Sequence, residues 1–218
     1  MGVTAIVPVR AGSRRLPNKN IARFAGANLL VHKLRQLKRV AEIDQIVVSS
    51  DSIEMLAMAQ SEGVETHQRE LHYCDEKSVP FGGVVQHICE SVQGEHIVWA
   101  TCTAPLVEEH IYAEAIKTYK QALIEGYDSL MSVEPFKRYI WDENGPMNYK
   151  LGLEHVPSQQ LDQLYFVTDG ILIAPRKKMI EWSYFHGTNP YKYVLSRKAS
   201  VDIDDDLDLT VARAFLDK

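Results

Sequence analysis

The chain has few cysteines and no long apolar run. Its 218 residues include three cysteines, and none has the C-x-x-C spacing that is typical of zinc and redox sites. Scattered thiols in an odd number predict free cysteines in a reducing cytoplasm. No segment is apolar enough over a sufficient length to cross a bilayer, and the first residues lack the pattern of a signal peptide. We therefore expect a cytoplasmic protein with no membrane partner.

An excess of positive charge is also absent. Acidic residues outnumber basic ones by 29 to 24, which gives a formal net charge of −5. This balance argues against nucleic acid or an acidic membrane as the main partner. Any basic residues that bind an anion must then be clustered locally. The length suits a single α/β domain over residues 1–218, and we find no repeat or low-complexity segment.

Short apolar runs alternate with amphipathic segments over about the first two thirds of the chain. The runs predict strands, and the period of the amphipathic segments predicts helices. This alternation is typical of parallel strands joined by crossover helices, that is, a doubly wound sheet with functional groups at the carboxyl ends of its strands. The predicted strands lie at 4–9, 45–49, 64–66 and 96–100, and the helices at 29–40, 52–63, 87–92 and 108–124.

The pattern changes near residue 134. Residues 134–164 are rich in Pro, Gly, Asn and Gln with scattered aromatic residues, which predicts a hairpin or arm that leaves the sheet. After it we expect strands at 165–173 and 201–204 and a last helix at 207–216. In the first helix, Lys33 lies with Arg35, Lys38 and Arg39 on the faces that are predicted to be polar.

A basic loop follows the first strand. Arg10, Arg14, Arg15 and Lys19 surround Gly12 and Ser13, and a loop of this kind can direct backbone N–H groups and cations at a phosphate. The sequence matches neither the P-loop motif nor the G-x-G-x-x-G dinucleotide motif. The alternative interpretation is a solvated basic turn.

An acidic run lies near residue 204. Asp202 and Asp204 alternate on the predicted strand, so both should point to one face and could hold Mg²⁺ together. Asp205, Asp206 and Asp208 suit the first turn of the following helix, where the helix dipole favours negative charge. That explanation does not cover Asp202, whose position between two apolar residues would be costly without a counter-charge.

Several of these segments together resemble one family. The run R-A-G-S-R-R-L-P-N-K-N-I from Arg10 is similar to the R-x-x-S-K-x-x-x-x-K-N-[IL] signature of the acylneuraminate cytidylyltransferases, or CMP-sialic acid synthetases. The CMP-Kdo synthetases have a variant of it. Similar segments follow in the family's order: V-V-S-S-D-S from Val47, G-V-E-T-H-Q-R ending at Arg69, T-A-P-L from Thr103, and V-D-I-D-D-D-L-D-L from Val201.

The resemblance implies a Rossmann-like, three-layer α/β/α nucleotidyltransferase fold with a mostly parallel sheet, CTP and Mg²⁺ as ligands, and a homodimer formed through the arm. It also assigns roles by position. The implied catalytic residues are Arg10, Arg14, Lys19 and Asp202, and the implied metal ligands are Asp202 and Asp204. The implied nucleotide contacts are Arg10, Ala11, Gly12, Ser13, Lys19, Asn20, Arg69, Thr101 and Thr103, and the sugar contacts are Thr103, Asp169 and Gln160.

The sequence departs from the family pattern around the sugar. Thr101 and Cys102 replace a glutamine and a proline, and V-T-D-G from Val167 replaces R-P-N-G. Two arginines that meet the sugar in sialic acid enzymes, expected near Ser158 and Val167, are absent. The alternatives are therefore another sugar acid such as Kdo, a different nucleotide, or a binding relative without catalysis. A glycosyltransferase is disfavoured because its D-x-D motif usually lies mid-chain.

The expected reaction is attack by the anomeric hydroxyl of an acidic sugar on the α-phosphorus of CTP, with pyrophosphate as the leaving group. Such transfers depend mainly on positioning and on cationic stabilisation. Asp202 or a water on the metal is the candidate proton acceptor. His67, His72, His87 and His96 are predicted to be structural or surface residues.

Overall fold

The computed structural model describes residues 2–13, 15–75 and 77–216. Within them the strands are β1 (Val3–Pro8), β2 (Arg23–Phe24), β3 (Ala27–Asn28), β4 (Gln45–Ser50), β5 (Glu65–Gln68), β6 (His96–Trp99), β7 (Ser129–Phe136), β8 (Trp141–Asp142), β9 (Gly145–Pro146), β10 (Leu164–Pro175) and β11 (Pro190–Val194). The helices are α1 (Leu29–Leu37), α2 (Ile53–Ser61), α3 (Phe81–Glu90), α4 (Glu109–Ile124), α5 (Arg176–Trp182) and α6 (Asp206–Ala214), with short 3₁₀ turns at Lys19–Ile21, Leu71–Cys74, Gly152–Glu154 and Ser158–Gln160.

Seven of the described strands form one sheet in the order β11-β7-β10-β6-β1-β4-β5. The pairs β6-β1, β1-β4, β4-β5 and β11-β7 are parallel, whereas β10 is antiparallel to both of its neighbours. The predicted mostly parallel α/β sheet is therefore confirmed, with one reversed strand near its centre. The parallel strands bring the loops after β1 and β6 to the same edge of the sheet.

The sheet is buried on both faces, which makes three layers. On one face the alternate residues of β1, including Val3 and Ala5, pack in a core with α1, α2, α4 and α6. On the other face Ile6 packs in a second core with α3 and α5. Because both faces are covered, the strands are apolar at successive positions, which explains why they read as short continuous apolar runs.

Most of the predicted elements exist near their predicted bounds. Ser52 caps α2, since its side chain accepts a hydrogen bond from Met55 N. The helix predicted at 87–92 begins earlier, at Phe81. The strand predicted at 201–204 is wrong. Ile203 N donates to Thr103 O in a loop, and Asp208 accepts from the amides of Asp204 and Asp205, so this segment has no strand partner.

The arm predicted at 134–164 leaves the edge of the sheet between β7 and β10. The paired ends of these two strands form its base, and it carries the small hairpin β8-β9. Several large apolar side chains on it are exposed to solvent: Trp141, Met147, Leu151, Leu153, Phe166 and Val167. Across the described residues, no helix is both long and apolar enough to cross a membrane.

Candidate active site

A cavity of about 610 Å³ opens at the carboxyl ends of β1 and β6, beside the middle of β10. One part of its wall is polar and charged: Arg10, Ser13, Arg15, Lys19, Asn20, Arg69, Thr101, Thr103, Asp169 and Asp204. Another part is aromatic and aliphatic: Tyr73, Val79, Phe81, Val84, Trp99, Leu172, Tyr184 and Phe185. A cavity with convergent polar groups and an apolar wall is the usual form of a small-molecule site.

The basic loop after β1 is held in place by Asn20, which is buried. Its Nδ2 donates to Arg10 O at 3.0 Å, and its Oδ1 accepts from Cys102 Sγ at 3.3 Å. Asn20 thus joins the loop after β1 to the loop after β6. Within the basic loop, Gly12 has a φ of 77°, a conformation that favours glycine, and Ala11 N donates to Asp51 at 3.0 Å.

Cations from this loop meet the acidic segment near residue 204. Lys19 Nζ lies 3.1 Å from Asp204 Oδ1, and Arg15 Nη1 lies 2.8 Å from Asp204 Oδ2. The contact between Lys19 and Asp204 joins residues that are 185 positions apart in the sequence. The basic loop and Asp204 therefore lie together at the wall of the cavity.

Asp202 lies next to this ion-pair cluster. Its Oδ1 is buried and has no hydrogen-bond partner among the described residues. Burial raises the pKa of Asp202 and the neighbouring carboxylates Asp169 and Asp204 add to the increase, whereas a hydrogen bond from Thr103 and the charge of Lys19 oppose it. A buried carboxylate oxygen without a partner is costly, which makes Asp202 a candidate ligand for a cation.

The described residues contain no group of three or more His, Cys, Asp or Glu side chains that could hold a metal ion by itself. This does not conflict with a magnesium ion shared with a nucleotide. Mg²⁺ usually takes one or two protein carboxylates and completes its coordination with phosphates and water. The orphaned Oδ1 of Asp202 and the nearby carboxylate of Asp204 fit that ligand set.

Asp169 lies in a bulge of β10, where the register with β7 shifts between Val167 and Leu172. Three hydroxyl groups bind successive carbonyls of this bulge. Ser132 Oγ donates to Thr168 O at 3.2 Å, Thr101 Oγ1 to Asp169 O at 2.8 Å, and Tyr112 Oη to Gly170 O at 3.1 Å. Bulges commonly redirect a side chain next to an active site. Here Asp169 lines the cavity, and partial burial together with Asp204 raises its pKa.

Most of the predicted site residues come together at the cavity. Nine of them line it: Arg10, Ser13, Lys19, Asn20, Arg69, Thr101, Thr103, Asp169 and Asp204. Arg15 of the basic loop lines it as well, whereas Asp202 does not. Ala11 and Gly12 belong to the same loop but are exposed beside the cavity and do not line it. Gln160 is exposed on the arm and is not among the cavity residues, so one chain alone does not bring it to the site. Arg14 lies outside the described residues.

Arg69 differs from a simple ligand contact. Its side chain is buried, with Nε donating to Cys74 Sγ at 3.0 Å and Nη2 donating to Val9 O at 2.8 Å. Much of its hydrogen-bonding capacity is thus used within the protein. Arg10 makes a similar contact, from Nη1 to Cys74 O at 2.9 Å. These two arginines fix the segment around Cys74 against the loop after β1.

The prediction that the histidines are structural agrees with their contacts. His96 is buried and bonded to Tyr119, His67 is bonded to Ser49, and the ring of His87 stacks on Tyr73. His72 is exposed and lies 3.3 Å from a carboxylate oxygen of Glu70. None of the four lines the cavity.

Sequence reasoning missed two sets of residues. The apolar part of the cavity lining, the aromatic wall, corresponds to no sequence motif. Its residues Phe81, Trp99 and Phe185 come from distant segments and resemble ordinary core residues. The sequence predicts Lys33 on a polar face of α1, but this residue is fully buried. The available signal was its register: Lys33 is three residues after Leu30 and four before Leu37, which places it beside the apolar stripe of α1.

A family model described as cytidylyltransferase matches residues 4–186, which is most of the chain. The chain belongs to the cytidylyltransferase family. It is accordingly a nucleotidyltransferase, and the basic loop, the loop after β6 and the bulge with Asp169 all lie within the matched region. The acidic segment at 202–204 lies beyond it.

Proteins of known activity resemble this family member along nearly its whole length. A pseudaminic acid cytidylyltransferase from Campylobacter jejuni is 26% identical over 217 residues, which covers 95% of this chain and 93% of that protein. An N-acylneuraminate cytidylyltransferase from Escherichia coli O18:K1:H7 is 24% identical over 96% of this chain. The match covers 51% of the E. coli enzyme, so this chain spans about half of that relative's length.

The fold is shared with solved nucleotidyltransferases. A CMP:2-keto-3-deoxy-manno-octonic acid synthetase solved with CTP superposes with a TM-score of 0.73 over 100% of this chain and 99% of that one, at 11% identity. A 4-diphosphocytidyl-2C-methyl-D-erythritol synthase from Anaerococcus prevotii gives a TM-score of 0.70. These similarities confirm the Rossmann-like nucleotidyltransferase fold.

Proposed function

We propose that this cytidylyltransferase joins CMP from CTP to the anomeric hydroxyl of an acidic sugar, a nonulosonic acid of the sialic acid type, and releases pyrophosphate for surface glycan biosynthesis. One observation carries the proposal. In a chain of this family, the cations Arg15 and Lys19 converge with Asp204 at the wall of a single cavity. That arrangement suits a triphosphate and its counter-cation.

The residues that line the cavity suit this chemistry. Negative charge grows on the phosphoryl group and on the leaving pyrophosphate, and Arg10, Arg15 and Lys19 can bind it. Ser13 and the amides of its loop offer further donors. Thr103 and Asp169 supply a hydroxyl and a carboxylate group for the sugar, and Thr101 supplies a hydroxyl group for the nucleotide. Arg14 belongs to the same loop in sequence, and we keep it as a proposed catalytic residue.

We also propose that Mg²⁺ is used, held by Asp202 and Asp204 together with the phosphates. When bound, the ion neutralises phosphate charge and orients the triphosphate. Asp204 Oδ1 contacts Lys19 and Asp204 Oδ2 contacts Arg15. Binding of the metal to Asp204 therefore requires these contacts to lengthen. A triphosphate would favour this exchange because it offers both cations other anionic partners.

The choice of an acidic nine-carbon sugar comes from the relatives whose similarity spans the chain. Their names specify pseudaminic acid and N-acylneuraminate. The absence of arginines near Ser158 and Val167 distinguishes this chain from the sialic acid pattern. An octulosonic acid is the alternative substrate, and the solved neighbour with that activity shares only the fold.

We further propose a homodimer formed through the arm and a cytoplasmic location, with residues 1–218 acting as one domain. The exposed apolar side chains on the arm support the dimer, because large exposed apolar patches commonly mark protein contacts. Three cysteines without a disulfide support a reducing compartment.

The test is a substrate panel. Purified protein is incubated with Mg²⁺, each of the four nucleoside triphosphates, and a set of nonulosonic and octulosonic acids, and pyrophosphate release and product mass are measured. We expect release with CTP and a nonulosonic acid only. Release with another nucleotide or only with an octulosonic acid would replace the proposed substrates, and no release in any combination would contradict the activity.

The same assay tests the metal ligands. Asp204→Asn should reduce Mg²⁺-dependent pyrophosphate release by about a hundredfold or more while the fold remains intact, because a well-placed charge contact is worth roughly 3 to 4 kcal/mol in such sites. Circular dichroism checks the fold. Turnover at the unmodified rate in the variant would contradict the assignment of Asp204.

A further inference from the structure

Lys33 is fully buried in α1, yet no carboxylate pairs with it in the described structure. Its Nζ donates to Ala104 O at 2.9 Å, to Val107 O at 3.3 Å and to Tyr112 Oη at 3.0 Å. Nζ also lies 4.8 Å from the centre of the Tyr112 ring. Three neutral acceptors thus match the three N–H groups of an ammonium.

Burial of this amine is unfavourable for the fold. Removal from water lowers the pKa of Lys33 to about 7. An apolar side chain of similar length at this position would usually stabilise a helix packed in a core at least as well. Since packing alone does not require a lysine here, its hydrogen bonds are the feature that needs an explanation.

These bonds lead to the cavity by two routes. Ala104 follows Thr103, which lines the cavity and accepts from Ile203 N at 2.8 Å. Tyr112 Oη donates to Gly170 O at 3.1 Å, and Gly170 follows Asp169 in the bulge of β10.

Neighbouring residues of α1 reinforce the first route. Gln36 Nε2 donates to Pro105 O at 2.9 Å, and a ring nitrogen of His32 lies 3.1 Å from the same oxygen. The polar side of α1 therefore binds carbonyls at 104, 105 and 107. Helix α1 therefore holds the loop after β6 in place, although no residue of α1 lines the cavity.

We propose that Lys33 is a positioning residue that sets the geometry of Thr103 and Asp169 for the sugar, through the loop 103–107 and through Tyr112 and the β10 bulge. This inference rests on the proposed function for its kinetic test. Among the described residues, Lys33 makes no hydrogen bond to the basic loop after β1. It should therefore act on the sugar side of the reaction more than on CTP.

The test is Lys33→Met, which keeps the length of the side chain but removes its charge and donors. We expect a kcat about 10- to 100-fold lower and a higher KM for the acidic sugar, because small displacements of positioning groups have effects of that size. The Kd for CTP, measured by calorimetry, should change by less than about threefold, within the range of ordinary context effects. Lys38→Met, an exposed lysine directly after α1, is the matched control and should leave all three values unchanged.

Tyr112→Phe tests the second route. It removes only the hydroxyl that links Lys33 to Gly170, so it should reproduce part of the defect. The double variant should lose less than the product of the two single losses, because residues in one network are not additive. If the loss of activity in the double variant equals the product of the two single losses, Lys33 and Tyr112 do not act through one network.

A residue that only supports folding would behave differently. In that case Lys33→Met would lower the thermal midpoint and reduce the CTP-binding fraction and the turnover together, with kcat per binding site unchanged. That result, or unchanged kinetics, would overturn the proposal. Unmodified protein that binds CTP without turning over any acidic sugar would contradict the proposed function alone. Hydrogen exchange then decides on Lys33: faster exchange at 102–107 and 168–171 in Lys33→Met supports its role, and unchanged exchange overturns it.

Discussion

At the scale of single residues, Asp202 combines a stability cost with a proposed role. Its buried oxygen lacks a partner, and burial and two neighbouring carboxylates disfavour its charged form. We predict that Asp202→Asn raises the free energy of unfolding at pH 7 by about 1 kcal/mol, since an unsatisfied buried group costs roughly that much. The thermal midpoint should rise by about 2 to 4 °C for a chain of this length, while pyrophosphate release falls at least about a hundredfold.

Thermal denaturation and the release assay measure both effects. Asp206→Asn, on the exposed first turn of α6, is the control and should change neither by much. A less stable Asp202→Asn would show that the hydrogen bond from Thr103 outweighs the burial cost. Retained turnover would remove Asp202 from the proposed metal ligands.

Lys33 should give the protein a distinct pH dependence of stability. The pKa of this amine is about 7 in the folded chain and 10.5 as the ordinary value. Between these values the unfolded chain binds more protons, so the free energy of unfolding should increase with pH, by at most about 1.4 kcal/mol per pH unit. The penalty is fully present below pH 7 and disappears toward pH 10.5. The titratable groups that face Lys33, Cys102 and Tyr112, are present in both the unmodified protein and the Lys33→Met variant, so their own titration largely cancels in the comparison.

Urea unfolding from pH 6 to pH 9.5, with Lys33→Met as the reference, measures this effect. The difference in unfolding free energy between the unmodified protein and the variant should shift in favour of the unmodified protein as pH rises above 7. A flat difference would mean that the amine keeps its ordinary pKa in the fold.

At the scale of elements, the aspartates at the start of α6 have two roles: Asp205 and Asp208 cap the helix, whereas Asp204 is a proposed metal ligand. Asp205 caps the helix, with its side chain accepting from Leu207 N and Asp208 N, and Asp208 completes a capping box. Asp205→Ala should therefore cost about 1 kcal/mol of stability, which lowers the thermal midpoint by about 2 to 4 °C. Turnover at saturating Mg²⁺ should largely remain, in contrast to Asp204→Asn. Thermal denaturation and the pyrophosphate assay distinguish the two variants. A loss of metal-dependent turnover in Asp205→Ala would show that Asp205 contributes to the active site as well as to the helix cap.

Elements with their own local signals were predictable from the sequence. Apolar runs predicted β1, β4 and β6, and helical periodicity predicted α1 and α2. The segment at 201–204 looked like a strand because its apolar and polar residues alternate, but whether a strand forms depends on a partner. The capping box and the contact with Thr103 use its backbone groups instead.

The charged part of the site was also predictable, because its residues form compact motifs in the sequence. The aromatic wall and Lys33 were not, since each depends on contacts between distant segments. Lys33 illustrates the reason. Its residue type suggested an exposed position, and only the carbonyls of the loop after β6 make its burial tolerable.

At the scale of the whole molecule, the arm determines the assembly that we propose. Leu151 and Leu153 are exposed there without a covering element in one chain. Replacing both with aspartate should convert a dimer to a monomer in analytical ultracentrifugation, because buried charge strongly disfavours an apolar interface. Ile124→Asp, an exposed apolar site on α4, is the control and should remain dimeric. If the unmodified protein sediments as a monomer at micromolar concentration, the dimer proposal is wrong.

The contact between Lys19 and Asp204 spans 185 positions of the chain. Since a nascent chain emerges from the ribosome with its N-terminus first, β1 and its basic loop emerge long before their acidic partners. A nascent chain that ends before residue 202 can display the cations but not the paired carboxylates. The metal and triphosphate site that we propose therefore requires the chain to extend past Asp204, so products truncated before that residue would carry an incomplete site.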